Sequence, residues 1–274
     1  MNSQRHDQKP GVTIAIAQAS TEMSGGAERL PVISAIASSL SQHRRKTSVM
    51  LILPELFLSG YVRTLHDPAQ AASADNRYLS LICDIARTQQ LWIVTGLARS
   101  RPNGIANSAV AIHPNGQVIA EYDKICLFGN AEKKAFVAGR RTIVFDSPLG
   151  RTGLAICFDV EQADLVKKMA RAGAANLLVP TANMSPYNQV PVKTLPTRAV
   201  EAGVRIVYAN YAGIDGDLTM LGQSTVIDSR GNILALLGDS PELAIVHLDQ
   251  DQADRLGTMS QPADDPSLSQ LLDD

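Results

Sequence analysis

Charge is scarce and evenly split in this chain: of 274 residues only 19% are Asp, Glu, Lys or Arg, and the formal net charge is −2. Basic residues are scattered, apart from short clusters such as Arg44-Arg45-Lys46, which reads as the solvated end of a helix facing its dipole. No field of one sign is therefore available to hold nucleic acid or anionic lipid. No apolar run approaches the ~20 residues of a membrane span, and the polar start, Met1 to Gly11, lacks the apolar stretch of a secretory leader. The expectation is a cytosolic protein with no membrane partner. Cysteine is rarer still. Cys83, Cys126 and Cys157 cannot all pair and form no C-x-x-C, which argues against a disulfide scaffold and leaves a thiol for chemistry. The five histidines, His6, His43, His66, His113 and His247, show no ligand spacing such as H-x-x-x-H, so a zinc site is disfavoured. Phosphate-loop and dinucleotide fingerprints are also missing, and neither metal nor cofactor is expected.

Apolar residues are plentiful. They make up 45% of the chain, enough for a large core and for one α/β domain over residues 12–248. Residues 1–11 read as a flexible lead-in. Residues 249–274, with several acids and two prolines, read as a loosely ordered tail or a strap at a subunit interface. Val12–Ala17 reads as a first strand. Ala27–Arg45 has the spacing of an amphipathic helix, with Pro31 tolerable only in its first turn. Val49–Leu53 is a continuous apolar run, as expected of a strand buried on both faces. A helix over about Asn76–Gln90, a strand at Leu91–Gly96, and a hairpin of Asn107–His113 with Val118–Tyr122 follow. The second half repeats the pattern: strands Thr142–Phe145 and Thr152–Ile156, helix Glu161–Ala172, strand Asn176–Val179, a helix at Thr197–Ala202 and strand Val204–Asn210. A last hairpin joins Ser224–Ile227 to Ile233–Leu237. The repeat of "LILPE" and "NLLVPT", each after a helix, hints at two related halves and at sheets covered by helices.

Three residues at strand ends have chemical potential. Cys157 closes Gly153–Cys157 and precedes a helix, where free backbone N–H groups lower a thiol pKa and can hold an oxyanion. Alone, such a cysteine is mostly a small buried hydrophobe. Glu55 follows Pro54 at the end of a buried strand and is either a rim acid or a pocket acid. Lys124, taken alone, is an exposed lysine beside Asp123.

Their local contexts are more specific. "LILPELFLSGY", "EYDKICLFGNAEKKAF" and "GLAICFDVEQADL" resemble the three signature segments of the nitrilase, or carbon–nitrogen hydrolase, superfamily. The likeness runs from about Val12 to Leu248, and "ANLLVPTANMSPY", "RAVEAGVRIVYANYAG" and "GQSTVIDSRGNILA" look closest to its aliphatic amidase branch. The resemblance implies a four-layer α-β-β-α sandwich and a homodimer or larger homo-oligomer. It implies hydrolysis of a small linear carboxamide to carboxylate and ammonia through a cysteine thioester. A nitrile or an N-carbamoyl amine is the alternative substrate, and a non-catalytic binding protein a further one. Cys157 would be the nucleophile, Glu55 the general base, Lys124 with the Phe158 N–H the oxyanion donors, and Glu132 a second acid supporting the lysine. Outside the resemblance, Glu132 reads as a surface acid beside Lys133 and Lys134.

The pocket is expected from the loops 59–75, 129–140, 181–192 and 212–221, with Tyr61 and Asn183 as candidate substrate contacts. Asp215 and Asp217 could attract a substrate ammonium, although paired acids in a Gly-containing turn are usually only solvated. Three departures from the family pattern stand out: Cys126 where histidine is common, Gln162-Ala163-Asp164 where Phe-Pro-Glu is common, and Ala202 in place of asparagine. Cys126 is thereby a rival thiol.

Overall fold

The computed structural model describes residues 11–22 and 26–248. The predicted lead-in (apart from Gly11) and the predicted tail lie outside the described residues. The chain opens with strand β1 (Val12–Ser20), helix α1 (Gly26–Ser39), β2 (Ser48–Ile52), α2 (Tyr61–His66), α3 (Pro68–Gln89), β3 (Trp92–Arg101), β4 (Gly104–Ile112), β5 (Val118–Asp123) and α4 (Gly129–Ala135). It continues with β6 (Val144–Ser147), β7 (Gly150–Leu154), α5 (Ala163–Arg171), β8 (Asn176–Pro180), α6 (Leu195–Ala202) and β9 (Arg205–Ala209). It ends with β10 (Tyr211–Asp215), β11 (Leu218–Leu221), β12 (Thr225–Ile227), β13 (Ile233–Leu236) and β14 (Glu242–Leu248).

These strands build two sheets. The first runs β11-β10-β1-β2-β3-β4-β5, with β14 also paired to β1, and the second runs β13-β12-β9-β8-β7-β6. Each has a parallel centre, β1-β2-β3 in one and β7-β8-β9 in the other, extended by antiparallel hairpins. Covered on both faces, parallel strands such as β2 and β8 carry continuous apolar runs, Val49–Ile52 and Leu177–Val179. On β1, Val12, Ile14 and Ile16 face the second sheet, while Ala15, Ala17 and Ala19 sit under the helices with Ile33 and Ala37 of α1 and Ile82 and Ala86 of α3. On the far side, Leu165, Val166 and Met169 of α5 and Leu195 and Ala199 of α6 cover the second sheet. The arrangement is the expected four-layer sandwich.

The differences from expectation lie at helix ends and short strands. Pro31 lies inside α1 rather than in its first turn, at the cost of one backbone bond. The helix placed at Asn76 starts at Pro68, where Asp67 caps it by accepting the Gln70 N–H at 3.0 Å. Segments read as loops contain α2, α4, β10 and β11, and β14 was not foreseen. Its sequence, Glu242–Leu248, has too little alternation to announce itself, and its seven-residue antiparallel register with β1 supplies the order. No helix among the described residues is long and apolar enough to cross a membrane.

Candidate active site

Glu55 stands at the sharp exit of β2. Leu56 takes a left-handed backbone conformation (φ 47°), and the β3 backbone at Gly96 closes on the turn, with Phe57 N–H donating to the Gly96 carbonyl at 2.8 Å. A Cβ on Gly96 would lie 2.4 Å from Leu56 N and 2.6 Å from Glu55 Cα, so only glycine fits there. Tyr211 Oη–H donates to the Glu55 carbonyl at 2.9 Å and itself accepts from Arg29 at 3.1 Å. Lys124 leaves the end of β5 under a similar clamp: its N–H donates to Asn107 at 2.8 Å and its carbonyl accepts from Gly139 at 2.8 Å.

These turns bring Glu55, Lys124 and Glu132 together out of reach of solvent. Lys124 Nζ donates to Glu55 Oε1 and to Glu132 Oε1, both at 2.7 Å. Glu132, on α4, also accepts the Tyr61 hydroxyl at 2.8 Å and, through Oε2, the Phe128 N–H at 2.8 Å. Asn107 Nδ2 donates to Glu55 Oε1 at 2.6 Å, while Glu55 Oε2 has no hydrogen-bond partner among the described residues. The surface readings of these residues do not hold: Glu132 is buried, and Asp123 pairs with Arg101 at 2.6 Å rather than with Lys124.

Cys157 comes from the second sheet. A short 3-10 turn, Cys157–Glu161, begins at the thiol itself, and Cys157 sits at φ 46°, a left-handed conformation unfavourable for a side-chain-bearing residue by about 1–2 kcal/mol. Asp159, fully buried, fastens this turn to the first sheet. It accepts from Tyr122 Oη at 2.8 Å, Ile125 N at 3.2 Å, Cys126 N at 2.7 Å and Ile156 N at 3.1 Å.

Electrostatics follow from burial. Desolvation pushes the Glu55 carboxyl up to about 7, against the pull of Lys124 and with a further push from Glu132. Burial opposes the charge on Lys124, but Glu55, Cys157 and Glu132 outweigh it and hold its pKa well above the usual value. The Cys157 thiol, expected to be lowered by a helix N-terminus, is instead raised well above the ordinary range. Burial and the Glu55 charge outweigh Lys124 and the Ala182 N–H. The resting thiol is thus protonated and faces an acid that is partly ionised at neutral pH. Cys126 is raised to about 11 by burial and then by Asp159.

The other expected residues fall around this centre. Phe158 packs edge-on against Phe128, their ring centroids 5.4 Å apart, and Phe128 in turn meets Tyr187 at 5.5 Å. Tyr61 is buried with its hydroxyl on Glu132. Asn183 uses its side chain on the loop it belongs to, donating to the Tyr187 carbonyl at 3.2 Å and accepting from Met184 N at 3.0 Å. Asp215 accepts from Val62 N at 3.2 Å at the start of α2, and Asp217 is exposed. Asn107, Asp159, Gly96 and Gly139 were not singled out from sequence. Asn107 carries the one available signal, a polar residue that with Ser108 interrupts the apolar run of its strand.

This layering, with a thiol set against a buried acid–lysine–acid chain, is that of a carbon–nitrogen hydrolase. A family model described as carbon-nitrogen hydrolase matches residues 13–257, and the chain belongs to that family, within the nitrilase superfamily. It is similar to a protein named "Hydrolase in pqqF 5'region" from Pseudomonas protegens, 36% identical over 208 residues that cover 73% of this chain and 72% of the relative. It is also similar to an (R)-stereoselective amidase from a Pseudomonas species, at 30% identity over 74% of each chain. Among solved structures, an amidase from Nesterenkonia sp. superposes with a TM-score of 0.84 at 30% identity, over 99% of this chain and 100% of that one. Variants of that amidase are described in complex with acrylamide or butyramide, and with the acetamide moiety of fluoroacetamide added covalently at the active-site cysteine. The protein is accordingly a hydrolase of carbon–nitrogen bonds.

Proposed function

We propose that the protein is an amidase that converts a small linear carboxamide to carboxylate and ammonia through a thioester on Cys157. The observation that carries this reading is the buried chain Glu132–Lys124–Glu55, whose terminal Oε2 is unpartnered and lies within electrostatic reach of the thiol. Glu55 takes the proton of Cys157, and the thiolate attacks the amide carbon. Lys124 Nζ and the Phe158 N–H receive the developing oxyanion, a role whose loss typically costs ~100-fold or more. Glu55 returns the proton to the departing amine, ammonia leaves, and a thioester remains. Glu55 then deprotonates a water that attacks the thioester, and the carboxylic acid departs as the thiol is restored. Glu132 keeps the lysine aimed, and Tyr61 keeps Glu132 in place. Asn183 shapes the 181–187 loop at the rim, where substrate would meet it.

The similarity to an amidase whose variants hold short aliphatic amides supports this substrate class. Intact-mass analysis after incubation with candidate amides tests it: a trapped acyl group on the wild type, absent from a folded Cys157→Ala variant, is expected. Full ammonia release by Cys157→Ala would sink the assignment. A panel of amides, nitriles and ureido compounds separates amidase, nitrilase and carbamoyl hydrolase activities by product. A homodimer or larger assembly is supported by apolar side chains left exposed near and on α6, Val192 and Val200, and light scattering checks it. A cytosolic location is in keeping with three free cysteines.

A further inference from the structure

The mechanism leaves one polar side chain of the turn that carries the thiol without a task. Glu161 ends the same 3-10 turn that Cys157 begins, and is half-buried. Its cationic neighbours are Lys124 and Arg198, and both are committed to other groups. Lys124 is held by Glu55 and Glu132, while Arg198 donates to the Glu161 backbone carbonyl at 3.0 Å and pairs with Glu201 at 2.7 Å. Among the described residues no ion pair or hydrogen bond engages the Glu161 carboxylate itself.

A 3-10 turn eclipses residues three apart, which puts Glu161 on the side of Phe158. Phe158 belongs to the edge-on aromatic group with Phe128 and Tyr187. A carboxylate without a salt-bridge partner, one 3-10 turn on from a residue of an aromatic group, can serve as receptor for an organic cation, since ring faces and carboxylate attract the same charge.

We propose that Glu161 is a specificity residue that receives an ammonium group on the substrate, so that the preferred carboxamides carry a cationic amine near the reacting carbonyl. This rests on the amidase reading above. The aromatic group of Phe158, Phe128 and Tyr187 forms the wall of that subsite.

The test compares β-alaninamide with butyramide, which have the same number of heavy atoms and differ by ammonium for methyl. Wild-type kcat/KM is expected to favour β-alaninamide by about tenfold or more, the scale of one charge-assisted contact. Glu161→Gln should collapse that ratio toward unity, chiefly through KM for the cationic amide, and Glu161→Asp should restore part of it. Glu161→Lys should invert it. Wild-type preference for butyramide, or a ratio untouched by Glu161→Gln, overturns the proposal while leaving the amidase reading intact. Hydrolysis of neither amide by folded protein, with no acyl adduct on Cys157, overturns both.

Discussion

Replacing Lys124 by methionine isolates what the buried ammonium does, because the new side chain fills much of the same space without charge. In the native protein Nζ lies 2.7 Å from Glu55 Oε1 and 2.7 Å from Glu132 Oε1, with all three groups out of solvent. Removing one partner from a buried ionic cluster typically costs about 3–5 kcal/mol, because the remaining charge keeps its desolvation penalty and loses its compensation. Against a total stability of roughly 5–15 kcal/mol, that is a large fraction. The cost must also depend on pH. Glu55 already titrates at about 7 in the folded protein, raised from 4.5 by burial, and Lys124 is the largest influence holding it down. With a folded value above the unfolded one, this acid favours folding fully only below the unfolded pKa. That contribution is lost as pH rises through the folded value. Without Lys124 the folded value climbs further, so the deficit of Lys124→Met should be small near pH 5 and grow through pH ~8. Urea unfolding followed by circular dichroism at several pH values measures it, and Lys124→Met/Glu55→Gln should recover much of the loss. A deficit under about 1 kcal/mol that does not change with pH would refute the reasoning.

The rate should report the same acid: kcat/KM is expected to rise with pH through about 7 as Glu55 becomes able to accept the thiol proton. A profile flat between about pH 5 and 8 would contradict that role. Tyr61→Phe removes one donor from Glu132 but leaves Lys124 and Phe128 N in place, so kcat should fall about tenfold with stability lowered by about 1 kcal/mol. Steady-state kinetics beside thermal unfolding separate the two effects. Gly96→Ala forces a Cβ to within 2.4 Å of Leu56 N, so the Glu55 turn must shift. Overpacking of this kind costs about 1–3 kcal/mol, and a displacement approaching 1 Å can reduce activity about 100-fold. Activity equal to wild type would show that the turn is not clamped as described.

Central parallel strands such as β2 were legible in the sequence because burial on both faces leaves an unbroken apolar run, as in Met50-Leu51-Ile52, whereas β7, Gly-Arg-Thr-Gly-Leu, starts two residues before the strand read at Thr152. Glu55, Lys124, Glu132 and Cys157 were singled out as candidates by the segments around them, not by their own types, and the structure joins the first three in one hydrogen-bonded cluster. Nothing in residues 132–134 alone separates a buried Glu132 from a surface acid, since the preference is set by Lys124 and Tyr61 from other elements. The same holds for the thiol. A strand-end cysteine before a helix predicts a depressed pKa, yet the fold buries it against Glu55 and the sign reverses. The helix starts at Tyr61 and Pro68 were missed for a different reason, because one begins without a side-chain cap and the other relies on Asp67, nine residues ahead of the start read at Asn76. Gly96 and Gly139 were silent because a close backbone approach leaves no local trace.

Asp159 has a consequence for how the enzyme comes into being. Glu55 and Lys124 leave strands of one sheet and Cys157 leaves a strand of the other, about 100 residues beyond Glu55 in the chain. The Asp159 carboxylate bridges the sheets through Tyr122 and the backbone at residues 125, 126 and 156. Contacts of such sequence separation form late in folding, after their loop-closure entropy has been overcome. Either sheet can therefore gain its backbone order while the protein is still inert. During refolding, hydrolytic activity should return only with the final docking of the two halves, trailing the far-ultraviolet signal, which makes turnover itself a clock for the last step of assembly.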